Sequence, residues 1–134
     1  MTTKVAIVVR EDLATWQKLN VTAFLTSGFG SRYPDLVGEP YRDGSDVAYL
    51  PMFALPVVML AADHAGIARA FARARNRELS ISVYTDELFK TSNDVDNRAA
   101  VRAVPTDSLQ LAGFAVVGDR RQVDKALDKL RLHP

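Results

Sequence analysis

The most constraining feature of this chain lies near its start: Val5-Ala6-Ile7-Val8-Val9, an unbroken and mostly β-branched run with no polar residue in it. A strand with one face in water alternates apolar and polar side chains. A run without alternation suits a strand covered on both faces. Such a strand needs a sheet with helices packed above and below it.

The rest of the chain supplies those elements. Asp12 stands where it can cap a helix. In that helix Leu13, Trp16, Asn20, Phe24 and Ser27 fall on one face, Val21 and Leu25 widen the stripe, and Gly28 predicts its end. Residues 28–56 are punctuated by four glycines and four prolines and carry Phe29, Tyr33, Tyr41, Tyr49 and Phe53. The aromatic content predicts an ordered covering loop. Val57-Val58-Met59-Leu60-Ala61 reads as a second buried strand. Asp63 caps a helix running to about Glu78, with Ile67, Ala70, Phe71 and Ala74 as its apolar face and Arg69, Arg73 and Arg77 as a basic stripe.

Residues 79–84 alternate like a strand, and residues 90–98 read as a loop or short helix. Leu109 to Val117 forms the fourth strand. Asp119 and Gln122 have capping-box spacing before a last helix with Val123, Ala126, Leu127 and Leu130 on its core face. Strands alternating with helices predict an α/β fold: a three-layer α/β/α arrangement on a four-stranded mixed, largely parallel sheet. The 134 residues are a common size for one domain, so a single domain spanning 1–134 is expected.

Composition narrows the chemistry. With no cysteine, a disulfide framework, thiolate catalysis and Cys-based zinc sites are excluded. The longest apolar stretch, Leu55 to Ala62, is far shorter than the ~20 residues of a membrane helix. The first apolar run is too short for a signal-peptide core. A cytoplasmic protein without membrane contact is the expectation. A net charge of +1 falls short of the basic excess of a dedicated nucleic-acid binder, so tRNA binding is expected to be weak.

No phosphate-binding loop, dinucleotide fingerprint or nucleophile elbow is present. Of the two histidines, His64 follows a helix cap and His133 lies in the tail, and neither suggests a triad or a metal site; no cofactor or metal is expected. What remains is positional. Ligands of open α/β sheets sit beyond the carboxyl ends of parallel strands. Those ends are Arg10-Glu11-Asp12, Ala62-Asp63-His64 and Thr85-Asp86-Glu87. Their acids either cap helices and face water or converge on one cleft. Lys18 is either a solvated surface residue or a cation aimed at an anion. The Arg69, Arg73 and Arg77 stripe is either a solvated face or a contact for RNA.

The run Lys4 to Leu13, ending Arg10-Glu11-Asp12-Leu13, resembles the opening of the type II peptidyl-tRNA hydrolases. Ser82-Val83-Tyr84-Thr85-Asp86 is similar to a later strand of that family, and Ala115 to Gly118 with Val123 to Leu132 is similar to its last strand and helix. Trp16 to Asn20 and Tyr49 to Phe53 look closer to an uncharacterised bacterial family that shares this fold. The resemblance implies a peptidyl-tRNA hydrolase II-like domain, often dimeric. It places the family's catalytic lysine at Lys18, its aspartate at Asp86 and its threonine at Thr91. The glutamine position falls at Thr22 and the histidine position at Leu25.

Three readings follow. The chain is a non-catalytic or divergent protein binding a small polar or anionic ligand through Lys18, Arg10, Asp12 and Thr22. Alternatively it is a hydrolase of peptidyl-tRNA or another acyl ester, using Lys18 and Asp86. In the third it is a structural homodimer built on loop 28–56. The first, combined with homodimerisation, is the primary expectation.

Overall fold

The computed structural model describes residues 2–134. Its main sheet has five strands in the order β5-β6-β1-β4-β7. They are β1 (Thr3–Arg10), β4 (Val57–Ala62), β5 (Ser80–Thr85), β6 (Leu111–Asp119) and β7 (Arg131–Leu132). The unalternating run is the middle strand, and Val5 to Val9 are fully or almost fully buried. A separate two-stranded hairpin, β2 (Tyr41–Arg42) with β3 (Ala48–Tyr49), rises from the segment after the first helix.

The sheet differs from expectation in count and in direction. β1 and β4 run parallel; β1–β6, β5–β6 and β4–β7 are antiparallel. The sheet is therefore mixed rather than largely parallel. A helix does not always return the chain for a parallel strand. Here α3 (Asp94–Arg102) lies between two strands that pair antiparallel. β7 is too short to show any period and exists by pairing Leu60 with Leu132 and Ala61 with Arg131.

Alternate residues of β1 face two cores. Ala6 and Val8 pack with Ile67, Ala70, Phe71 and Ala74 of α2 (His64–Arg75) and with Val123 and Ala126 of α4 (Arg120–Ala126). Val5, Ile7 and Val9 pack with Val21, Leu25 and Phe29 of α1 (Thr15–Arg32). One face thus carries two helices and the other one long helix. Strands lie ~4.8 Å apart, so five span about 20 Å, whereas a helix with its side chains is about 10 Å wide. α1 covers only part of its face. The flanks are filled by Leu36, Phe53, Leu55, Leu88 and Phe89 from irregular segments.

Several boundaries move from those the sequence predicts. α1 is capped at Ala14, whose N–H donates to Gln17 Oε1 at 2.9 Å, and Asp12 is not its cap. Gly28 does not end the helix; it continues to Arg32, which lets Phe29 reach the core. The buried stripe is Val21, Leu25 and Phe29, while Trp16 and Phe24 are 62% and 56% exposed. Asp63 does cap α2, accepting from Gly66 N–H at 2.7 Å, but the helix ends at Arg75. The Asp119–Gln122 capping box does not form; Gln122 accepts from Arg77 instead, at 3.0 Å.

Arg73 donates to the Ala126 and Asp128 carbonyls, so much of the basic stripe ties α2 to the α4 region. Loop 28–56 is partly helix and partly packed: Leu36 is buried and Val37 bridges to Phe53, while Tyr41, Val47, Tyr49, Leu50 and Met52 stay exposed.

α1 sits very close to β6. A Cβ on Gly113 would lie 2.8 Å from Val21 Cγ1 and 2.9 Å from the Val8 carbonyl oxygen. Only glycine allows this approach, which sets the height of α1 above the sheet.

Candidate functional site

β1, β4 and β5 point the same way, so their carboxyl ends share one edge of the sheet with the start of β6. Three of the expected residues meet there. Arg10 is 6% exposed. Its Nε donates to Asp12 Oδ1 at 2.6 Å, and its Nη1 donates to Asp86 Oδ1 and to the Leu111 carbonyl, both at 2.8 Å. A register shift between Tyr84 and Thr85 helps to place Asp86, whose backbone N–H donates to Gln110 O at 2.9 Å. Asp12 also lies 3.3 Å from His64 Nε2 on α2. The ends of β1, β4 and β5 are thereby joined through polar side chains.

Electrostatics favour the ionised forms. Burial opposes the Arg10 charge, yet the hydrogen bonds and charges of Asp12 and Asp86 outweigh it and hold the guanidinium above its ordinary value. Desolvation pushes Asp12 up, but Arg10, with a smaller contribution from His64, brings it below its ordinary 3.8.

Lys18 does not join this cluster. It lies in the first turn of α1, half-buried, and its Nζ is 3.1 Å from His133 Nε2. An ammonium only donates, so Nε2 accepts; Nδ1 then carries the proton and donates to the Pro134 oxygen at 2.9 Å. His133 is brought back from the end of α4 by a turn in which Lys129 has φ 69°, followed by β7, and its own N–H donates to Met59 O at 2.9 Å.

Two small cavities flank this pair. One, of about 340 Å³, is walled by Val9, Leu19, Met59 and Pro134, with Thr15 and Thr22 at its side. The other, of about 280 Å³, runs past Glu11 and Arg131. Neither has Asp86 on its wall, and Lys18 and Asp86 form no ion pair among the described residues. Lys18 and Thr22 are together; Arg10, Asp12 and Asp86 are together.

Thr91 is in neither group. Its one hydroxyl proton faces both the Leu88 carbonyl, at 3.1 Å, and Asn97 Oδ1, on the far flank of α1. His133 is the site residue that the sequence does not disclose. No local pattern marks a residue in a tail, and only the pairing of β7 with β4 carries it to Lys18. A larger cavity, about 1010 Å³, opens at the opposite sheet edge with charges of both signs, Arg32 and Arg77 against Asp35, Glu78 and Asp119.

Over residues 3–134 the chain matches the family described as "Protein of unknown function (DUF2000)". It belongs to that family. It is also similar to a solved structure of a protein of unknown function from Agrobacterium tumefaciens strain C58, with 39% identity and a TM-score of 0.96 over 100% of this chain and 99% of that one. No curated protein matches the chain. No helix among the described residues is long and apolar enough to cross a membrane.

Proposed function

We propose that this family member binds a small carboxylate with a short apolar body in the Lys18 cavity and holds it without turnover. The observation that carries this reading is the unmatched charge of Lys18. Its ammonium spends one N–H on a neutral imidazole and has no carboxylate within ion-pairing distance among the described residues. Two N–H groups remain for an anion, and Val9, Leu19 and Met59 offer an apolar wall beside them.

Turnover lacks its parts. The His133 Nε2 lone pair is occupied by Lys18, and Asp86 is held by Arg10. A charged lysine binds and polarises; it does not abstract protons. The resemblance to type II peptidyl-tRNA hydrolases supports a scaffold of that kind. Of the positions it implies, Lys18 and Thr22 line one cavity while Asp86 and Thr91 are engaged elsewhere.

Calorimetric titration with isovalerate and with its uncharged amide tests the reading, on the wild type and on Lys18→Met. The acid is expected to bind, and either removing its charge or replacing the lysine should weaken binding at least about tenfold, the value of a charge-assisted hydrogen bond. Equal affinity for acid and amide would contradict the anion site. Hydrolysis of a butyrate ester that Lys18→Met abolishes would establish the hydrolase reading instead.

A further inference from the structure

A further cavity of about 430 Å³ lies on the other flank of α1. Trp16, Asn20 and Phe24, one helical turn apart, form one wall, and Tyr84 and Phe89 lie across from them. The four rings form a chain of contacts: Trp16–Phe89 and Phe24–Tyr84 have centroids 6.0 Å apart at steep angles, and Tyr84–Phe89 are 5.0 Å apart. Trp16 and Phe24 are nonetheless more than half exposed. Two large aromatics facing solvent over one concave site are unusual where no ligand stacks on them.

The polar groups say what kind of ligand fits. Asn20 Nδ2 donates to the Tyr84 hydroxyl at 3.3 Å, leaving Asn20 Oδ1 without a partner among the described residues. Asn97 Oδ1 accepts from Thr91, leaving Asn97 Nδ2 free to donate. Burial pushes the Tyr84 phenol up, more than its Asn20 bond pulls it down, so the hydroxyl keeps a proton it can donate. The wall thus offers an acceptor and two donors with no unmatched charge. The nearby Asp94 is paired with Arg98. An organic cation would find rings but no uncompensated carboxylate.

We infer that this cavity binds a planar nitrogen heterocycle of the nucleobase class, stacked on Phe24 on the same helix face as Trp16, with its polar edge on Asn20 and Asn97. Aromatic faces accept any base, and amide side chains match the alternating donors and acceptors of a base edge. The base can belong to a free nucleoside or to an unpaired nucleotide of RNA.

Trp16 is the sole tryptophan, so its fluorescence reports this cavity directly. Adenosine and a short oligoadenylate are titrated against wild type, Phe24→Ala and Lys18→Met, with tetramethylammonium and ribose 5-phosphate as controls and absorbance corrected. Adenosine should quench saturably, and Phe24→Ala should weaken it about tenfold, a typical loss for one stacking ring. Lys18→Met should bind as the wild type does, which separates this site from the anion cavity. Similar affinity for both ligands assigns free nucleosides; an oligoadenylate advantage that falls with salt assigns RNA. The proposal is overturned by an unsaturable response to adenosine, by saturation with tetramethylammonium alone, or by unchanged affinity in a folded Phe24→Ala protein.

Discussion

Arg10 and Lys18 lie eight positions apart at the same edge of one sheet, and they are opposites in their surroundings. Arg10 is buried, with two carboxylates and a carbonyl on its guanidinium. Lys18 is half-buried beside a cavity, and among the described residues its ammonium hydrogen-bonds only an imidazole. A cation whose donors are matched by the fold has nothing left for a ligand. It serves architecture, here by tying β1 to the start of β6 and to the turn after β5. A cation that the fold leaves unmatched serves whatever enters next to it. Position beyond the strand ends is shared by both, so position alone does not distinguish a site from a strut.

Substitutions should separate the two roles. Arg10→Met strands the Leu111 carbonyl and two acids. Because Asp12 and Asp86 retain some access to water, the loss should be about 2–3 kcal/mol, with a Tm fall on the order of 10 °C in a thermal melt. A melt within a degree or two of wild type would remove Arg10 from the architecture.

Gly113→Ala acts on both regions, because the new methyl group presses on Val21 and the Val8 carbonyl and lifts α1. It should cost roughly 1–3 kcal/mol and weaken anion binding as Lys18 moves with the helix. Binding intact at that stability loss would show that the Lys18 cavity does not depend on helix height.

Asp12→Asn is smaller again. The Asp12 carboxyl is held below 3.8, so its contribution is fully present above that pH and disappears as pH falls through the lower folded-state value. About half the Asp12 side chain is in water, so the effect should stay within about 1 kcal/mol near neutrality. Denaturant unfolding of the variant should show a shallower loss of stability below pH 4 than the wild type. The smallest effect on the fold is that of Lys18→Met, within about 0.5 kcal/mol, although it should weaken anion binding at least about tenfold. A large destabilisation there would make Lys18 a strut like Arg10.

What the sequence discloses follows from range. β1 is legible as the middle strand because five successive apolar residues admit little else. The strand-end rule brings Arg10, Asp12 and Asp86 to one edge for the same reason: each follows a recognisable strand. The choice of buried stripe on α1 is not legible. Trp16-Asn20-Phe24 and Val21-Leu25-Phe29 both have helical spacing, and only the close approach at Gly113 decides that the second faces the sheet. Gly28 predicts a stop by its intrinsic cost of about 1 kcal/mol, yet burying Phe29 outweighs it. β7 and His133 depend on a two-residue pairing distant in sequence, which leaves no local mark.

The measurement that most directly sets Arg10 against Lys18 is a titration of isovalerate followed by backbone and side-chain chemical shifts in solution NMR. If the unmatched cation takes the anion, saturable shifts appear at Val9, Lys18, Leu19, Thr22, Met59 and His133, and Asp86 and Leu111 stay still. Saturable shifts centred on Arg10, Asp86 and Leu111, with Lys18 and His133 unmoved, would contradict it.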